Sequence, residues 1–211
     1  MAVLDRLIGR ASPATALRRA IQLGEERRYA EAFPLLTLAA RAGIPDAEYR
    51  VARCYFEGSG VPRSQVEGGR WLQRAASHGC IEAQSLLAAL CVHGLAGVAS
   101  DDPIKADEPR ADRLFAVDAP ADPDFKSAIK WARQAADAGS AKAQALLAYI
   151  LTYGPEPMRD LENAQQWYAR SAAAGCPEGN LGYALSLARR ATSKEDRRHV
   201  AEHLRRAKDR A

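Results

Sequence analysis

The chain is short of the residues and runs that most function classes need. Its 211 residues hold only 4 cysteines, Cys54, Cys80, Cys91 and Cys176, and no two of them form a C-x-x-C pair. Cys91 and His93 stand two apart, so on a helix they point in different directions. His199 and His203, four apart, share a face but have no third ligand on their segment, which leaves no metal site to propose. No apolar run approaches the ~18 residues of a membrane helix. The start, Met1-Ala-Val-Leu-Asp-Arg-Leu-Ile-Gly-Arg, is interrupted by Asp5 and Arg6 and no cleavage-site pattern follows, so the expected location is the cytoplasm. Gly-rich phosphate loops, nucleophile elbows and H-E-x-x-H are all missing, and the expectation is no enzyme, no catalytic residue and no cofactor.

Aromatic residues are sparse, at 7% of the chain, yet their placement is regular. Trp71, Trp131 and Trp167 each stand eight residues before a glycine, and with Gly43 those glycines, Gly79, Gly139 and Gly175, follow a 36-residue spacing broken once by a 24-residue insertion. A period of this length marks a stacked array of supersecondary units. Four residues after each glycine comes a small residue (Ala47, Ala83, Ala143, Gly179), then at plus eight Val51, Leu87, Leu147 and Tyr183, and at plus twelve Tyr55, Cys91, Leu151 and Leu187. Steps of four keep one helical face, so these rows form the buried stripe of a first helix, helix A. Gly58, Gly94 and Gly154 at plus fifteen are placed to end it in the left-handed conformation. Ser64, Asp124, Asp160 and Asp196 are placed to cap a second helix, helix B, which runs through the tryptophan and stops at the period glycine. Pro45 and Pro177 suit the first turn of the next helix A.

The string Ala39-Ala40-Arg-Ala-Gly43-Ile-Pro45-Asp-Ala47, with Tyr55, Gly58-Ser-Gly60-Val61 and Trp71-Leu-Gln-Arg-Ala75-Ala76, resembles the Sel-one-like repeat, a relative of the tetratricopeptide repeat. Ala83-Gln84, Ala143-Gln144 and Trp167-Tyr168 strengthen the match, which covers most of residues 29–189. The resemblance implies an all-α fold: a right-handed superhelical α-solenoid of antiparallel helix pairs, acting as a non-enzymatic scaffold or adaptor for a protein or peptide partner. It also implies a bacterial setting in envelope, polysaccharide, secretion or signalling assemblies. Relatives in oxidising compartments lock helix pairs with disulfides. Cysteines paired within a unit are missing here, so reduced, packed thiols are expected.

One repeat domain is expected over 1–211: N-terminal helices and a degenerate first pair over 1–42, repeats over 43–95 and 125–189, an insertion over 96–124 and a C-terminal capping helix over 190–211. Ser12-Pro13 is placed to start the first helix, and Leu35 takes the tryptophan slot of that first pair. Gly68-Gly69 falls inside a helix B, at roughly 1 kcal/mol per glycine relative to alanine, so that turn is expected to fray. His203 occupies the tryptophan slot of the last unit, as a polar cap would.

By the resemblance, helix A lines a concave groove with positions plus 3, 6, 10, 13 and 14. The groove candidates are Asp46, Tyr49, Arg53, Phe56 and Glu57, then Glu82, Ser85 and His93, then Lys142, Tyr149, Thr152 and Tyr153. Tyr and Arg are common interface hot spots. The insertion carries eight acids against three bases around the apolar cluster Leu114-Phe115-Ala116-Val117, and Leu114 and Phe115 are its candidate partner contacts. Arg189–Arg210 holds nine bases against four acids, an excess greater than the whole chain's +4. It reads as a solvated capping helix, with an acidic partner, nucleic acid or an anionic surface as alternatives. Nucleic acid is disfavoured because no aromatic residue interleaves the bases.

Overall fold

The computed structural model describes residues 12–94 and 123–208, and among them the secondary structure is helical throughout, with no strand. The chain divides into two compact units. Among the described residues the first comprises residues 12–87, the second residues 88–94 and 123–208.

In unit 1, α1 (Pro13–Glu25) packs on α2 (Tyr29–Arg41), α2 on α3 (Pro45–Glu57), and α3 on α4 (Gln65–Ser77). α5 (Ile81–His93) follows and passes into unit 2 after Leu87. Ser12 caps α1 by accepting from the Thr15 N–H at 3.3 Å, and Pro13 takes the first helical position, where its missing N–H costs nothing. The degenerate first pair therefore forms, with Leu35 buried in the tryptophan slot among Ala16, Ala20, Leu23, Leu36 and Ala39. α3 brings Ala47 and Val51 to the same core.

Unit 2 holds α6 (Phe125–Asp137), α7 (Ala141–Tyr153), a 3-10 turn (Glu156–Met158), α8 (Leu161–Ala173), α9 (Pro177–Ala188) and α10 (Lys194–Lys208). Each of these helices packs on the next, and α7 also lies against α9, so successive helices A are neighbours in this unit. Trp131 and Trp167 are 7% and 9% exposed, their outer faces covered by Lys130 at 5.1 Å and Arg170 at 4.7 Å from the ring centres. These are cation–π contacts at half-wet positions, worth about 0.5–1 kcal/mol each.

The repeat chemistry operates as its spacing requires. Gly43, Gly79, Gly139 and Gly175 have φ of 81, 86, 93 and 79°, the left-handed region that closes a helix. After each, the next N–H returns to a carbonyl five residues back, as from Cys80 to Ala75 at 3.0 Å and from Ser140 to Ala135 at 2.9 Å. Ser64, Asp124 and Asp160 cap α4, α6 and α8.

Three expectations change. Gly154 ends α7 with φ −66° and ψ −175°, an extended rather than left-handed residue, and the Arg159 Nε donates to its carbonyl at 2.7 Å. Asp196 does not cap α10. Ser193 does, accepting from the Asp196 N–H at 3.0 Å, while the Asp196 carboxylate reaches back to the Ser193 N–H at 2.9 Å, a capping box that starts the helix three residues early. Gly68 and Gly69 are buried in α4 instead of forming a loose turn. A Cβ on Gly68 would lie 2.6 Å from Phe56 Cε1, so the glycine makes room for that ring.

Candidate functional site

Two sets of helix-A positions alternate around each helix. The plus-four residues Ala47, Ala83 and Ala143 are fully buried, as are Val51, Leu87 and Leu147 at plus eight. Plus ten and plus fourteen reach the surface, and there the two units differ.

On unit 1 the Arg53 guanidinium is taken by Glu57 one turn along α3, with Nε and Nη2 at 3.0 and 2.6 Å from the same carboxylate oxygen. That bond raises the arginine's affinity for its proton and cancels both charges locally. Tyr49 is half-buried, and burial pushes its phenol up. Phe56 packs on Gly68 of α4. Ser85 Oγ donates to the Ile81 carbonyl at 2.9 Å.

On unit 2 the same rows are open. Tyr149 and Tyr153, 45% and 49% exposed, stand one turn apart on α7 with ring centres 5.2 Å apart. Leu181 and Leu185 on α9 are 46% and 47% exposed. Arg189, just past the end of α9, brings its guanidinium carbon to 5.9 Å from the centre of the Tyr153 ring and donates to the Tyr153 hydroxyl at 3.4 Å. Behind them, Tyr168 of α8 is buried, its ring filling the place a Cβ on Gly182 would take, 2.0 Å from Cε1. Burial pushes the Tyr168 phenol up to about 12. Lys142 is exposed at the start of α7, away from the tyrosine pair, and His93 is exposed at the end of α5, at the offset that Tyr153 holds on α7. Leu114 and Phe115 lie outside the described residues.

The sequence candidates thus separate into local groups: Arg53 with Glu57, Tyr149 with Tyr153, and Phe56 turned into its own helix pair. Leu181, Leu185 and Arg189 were missed, although the same offsets of 6, 10 and 14 counted from Gly175 reach all three.

A second set was also missed, at plus five. Glu48, Gln84, Gln144 and Asn180 are 0%, 7%, 9% and 1% exposed. Gln84 and Gln144 donate to the carbonyls of Ala76 and Ala136 at 3.0 and 3.2 Å, tying helix A to the end of the preceding helix B. Asn180 Nδ2 donates to the Cys176 carbonyl at 3.0 Å, which leaves Oδ1 to accept from His203 Nδ1 at 2.9 Å. His203 also meets Tyr183 edge-on, 4.9 Å between ring centres, so it fills its tryptophan slot as a packed residue. Glu48 cannot donate. Its carboxylate instead receives His78 Nδ1 at 2.8 Å and lies 2.6 Å from Arg74 Nε, an ion pair by distance whose N–H is not aimed at the oxygen. Four polar residues at one offset beside an alanine row was the available signal.

None of the four cysteines is in a disulfide, and Cys80 and Cys176 donate their thiols to Glu82 and Glu178 at 3.5 and 3.0 Å. Burial raises both thiols above their ordinary value, which makes them poor nucleophiles. α10 buries no residue and exposes Arg197, Arg198, Arg205 and Arg206. Among the described residues no helix is long and apolar enough to cross a membrane.

Comparison with known proteins agrees with this geometry. The model of the Sel1 repeat matches residues 45–80, 81–106, 118–140 and 141–176. An uncharacterized protein of Neisseria meningitidis serogroup B is 29% identical over 206 residues, covering 93% of this chain and 43% of the relative, so the chain spans less than half of that protein. Two solved structures, each 18% identical, share the fold. A protective antigen of uropathogenic Escherichia coli with an SLR fold gives a TM-score of 0.75 over 98% of this chain and 40% of its own. A Sel1 repeat protein from Oxalobacter formigenes gives 0.74 over 95% and 72%. Proteins of this kind generally mediate protein–protein interactions on a scaffold that is typically non-catalytic. With four repeats matched over more than half of its residues, and an α-solenoid of helix pairs as their fold, the chain belongs to the Sel1 repeat family.

Proposed function

We propose that this chain is a non-enzymatic adaptor that holds a protein or peptide partner on the helix-A faces of its repeats. One observation carries the reading: the positions 6, 10 and 14 after a period glycine present exposed large side chains, Tyr149, Tyr153, Leu181 and Leu185, that the fold itself does not use. Partly exposed tyrosine and leucine beside arginine supply apolar area with hydrogen-bonding ends, the composition of a protein interface core. Four cysteines outside any disulfide suit a reducing compartment, and the cytoplasm of a bacterium is the setting this reading favours.

The test is capture by the tagged intact chain from nuclease-treated native lysate, beside a Tyr149→Ala/Tyr153→Ala variant and a Tyr49→Ala/Arg53→Ala variant. A stoichiometric protein retained by the intact chain and lost from either variant is expected, with all three chains melting alike by circular dichroism. Equal retention by both variants removes the helix-A faces. Recovery of nucleic acid alone, abolished by nuclease, moves function to α10 with its exposed Arg197, Arg198 and Arg205.

A further inference from the structure

The surface of unit 2 has a feature that a generic interaction face does not require, an arginine without a carboxylate beside an apolar strip. Arg50 and Arg53 on α3 are each engaged by a carboxylate one turn away, Asp46 and Glu57. Arg189 has only the ring and hydroxyl of Tyr153, and among the described residues no carboxylate pairs with it. An aromatic ring and a phenol oxygen orient a guanidinium without neutralising it, so its positive charge is left for an incoming anion. Tyr149 and Leu185 occupy the row one helical turn before Tyr153 and Arg189, and α7 and α9 pack side by side. Tyr168, buried and packed against Gly182, backs this strip.

We propose that the α7–α9 face docks an extended segment of a partner protein in which a large aliphatic or aromatic side chain rests on Tyr149 and Leu185, while a carboxylate two residues away pairs with Arg189. The spacing follows from geometry. One helical turn is about 5.4 Å, and in an extended peptide side chains on one face recur every second residue, about 6.6 Å. An apolar residue and an acid at i and i+2 therefore match Leu185 and Arg189, whereas neighbours at i and i+1 point to opposite faces. The Arg53–Glu57 pair offers a carboxylate no such unmatched charge. This inference rests on the adaptor reading above and specifies the partner chemistry of its unit 2 face.

The experiment is selection of a phage-displayed random dodecapeptide library on the intact chain, followed by fluorescence anisotropy of the enriched peptides. Enrichment of Asp or Glu two positions from Leu, Ile, Phe or Trp is expected. Arg189→Glu should weaken these peptides at least tenfold, Arg189→Gln by a smaller factor, and Tyr149→Ala at least fivefold, at unchanged melting temperature. Arg189→Lys should retain most of the binding. Peptides that bind equally well to Arg189→Glu and Tyr149→Ala but are lost from Tyr49→Ala/Arg53→Ala overturn this assignment and leave the adaptor reading standing. A library that yields no binder overturns both. Enriched peptides binding at least tenfold tighter to a chain lacking residues 97–120 would make the chain's own acidic segment the occupant, and a dimer dispersed by Tyr149→Ala would make it a second copy. Either result overturns a separate partner protein as the occupant.

Discussion

Replacing Arg74 by alanine is expected to destabilise unit 1 far more than replacing Glu48 by glutamine, although both remove the same ion pair. The asymmetry comes from burial. The Glu48 side chain is 0% exposed, whereas those of Arg74 and His78 are 44% and 42% exposed. Arg74→Ala leaves a buried carboxylate with His78 alone, and stranding a buried charge costs about 3–5 kcal/mol. The surviving His78 contact at 2.8 Å places this case near the lower end. Loss of the guanidinium from the Trp71 ring, 5.3 Å away, adds roughly 0.5–1 kcal/mol. Glu48→Gln strands nothing, because both cations still reach water. Its amide can accept from His78, and Gln84 and Gln144 show that the same helix register accommodates a carboxamide. Exchanging charge-assisted for neutral hydrogen bonds costs about 1 kcal/mol. Adding Arg74→Ala to Glu48→Gln should then cost only about 1 kcal/mol more, a coupling of roughly 2–3 kcal/mol in the double-mutant cycle. At about 2–4 °C per kcal/mol for a chain of this size, the expected losses are about 7–16 °C for Arg74→Ala and 2–4 °C for Glu48→Gln. Urea unfolding followed by tryptophan fluorescence reads the cycle, with Trp71 a direct reporter. Equal costs for the two single variants, or additivity in the double variant, would refute the reasoning.

Gly182→Ala should destabilise the protein despite improving helix propensity, because the new Cβ would meet Tyr168 Cε1 at 2.0 Å and that ring is only 6% exposed. Overpacking of about 1–3 kcal/mol opposes a propensity gain of about 1 kcal/mol, and in a Tyr168→Val background the gain alone should survive, reversing the sign in urea melts. His203 carries a pH dependence: burial first, then the nearby Arg206, holds its folded-state pKa below the ordinary 6.5. The neutral form is therefore the one the fold prefers, so this contribution is complete above the unfolded value and is lost as pH falls through the lower folded value. Protection factors of the α10 amides, exchange rates corrected for the intrinsic pH dependence, should fall on acidification in the wild type and much less in His203→Gln.

Legibility in the sequence followed how strictly a position answers to the repeat. The period glycines must be left-handed, and the alanines must let two helices touch, so both could be read from spacing alone. Ser64, Asp124 and Asp160 were legible because a cap is a local device. Asp196 was misread by that same logic: the offset pointed to it, but Ser193 three residues earlier completes a capping box, and a box outweighs a register where no further described helix follows α10. Gly68 was misread as a propensity defect because the ring that fills its place, Phe56, belongs to another helix. The plus-five row was hidden for a related reason. Glu48 looks like a solvated charge beside Tyr49, and only the approach of Arg74 from α4 and of His78 just past its end makes it an interior group.

The same distinction bears on where specificity resides. The buried offsets of helix A answer to the neighbouring helices and hold similar residues from unit to unit, so they cannot encode a partner. The offsets at 10 and 14 answer to nothing within the fold, and they hold Arg53 with Glu57 in one repeat, Tyr149 with Tyr153 in another, and Leu185 with Arg189 in the last. In the first pair two charges one turn apart bond each other and offer water a neutral, hydrated surface. In the last, an exposed leucine sits one turn from a charge that is oriented but not neutralised. Desolvating an ion pair that is already satisfied returns little to a ligand, whereas covering exposed leucine and tyrosine returns about 25 cal/mol per Å² of apolar area, and a carboxylate brought to Arg189 forms a bond that was not there before. On the proposed adaptor reading, with helices of the same register, the choice of two side chains one turn apart decides whether a repeat presents an inert surface or one that can bind.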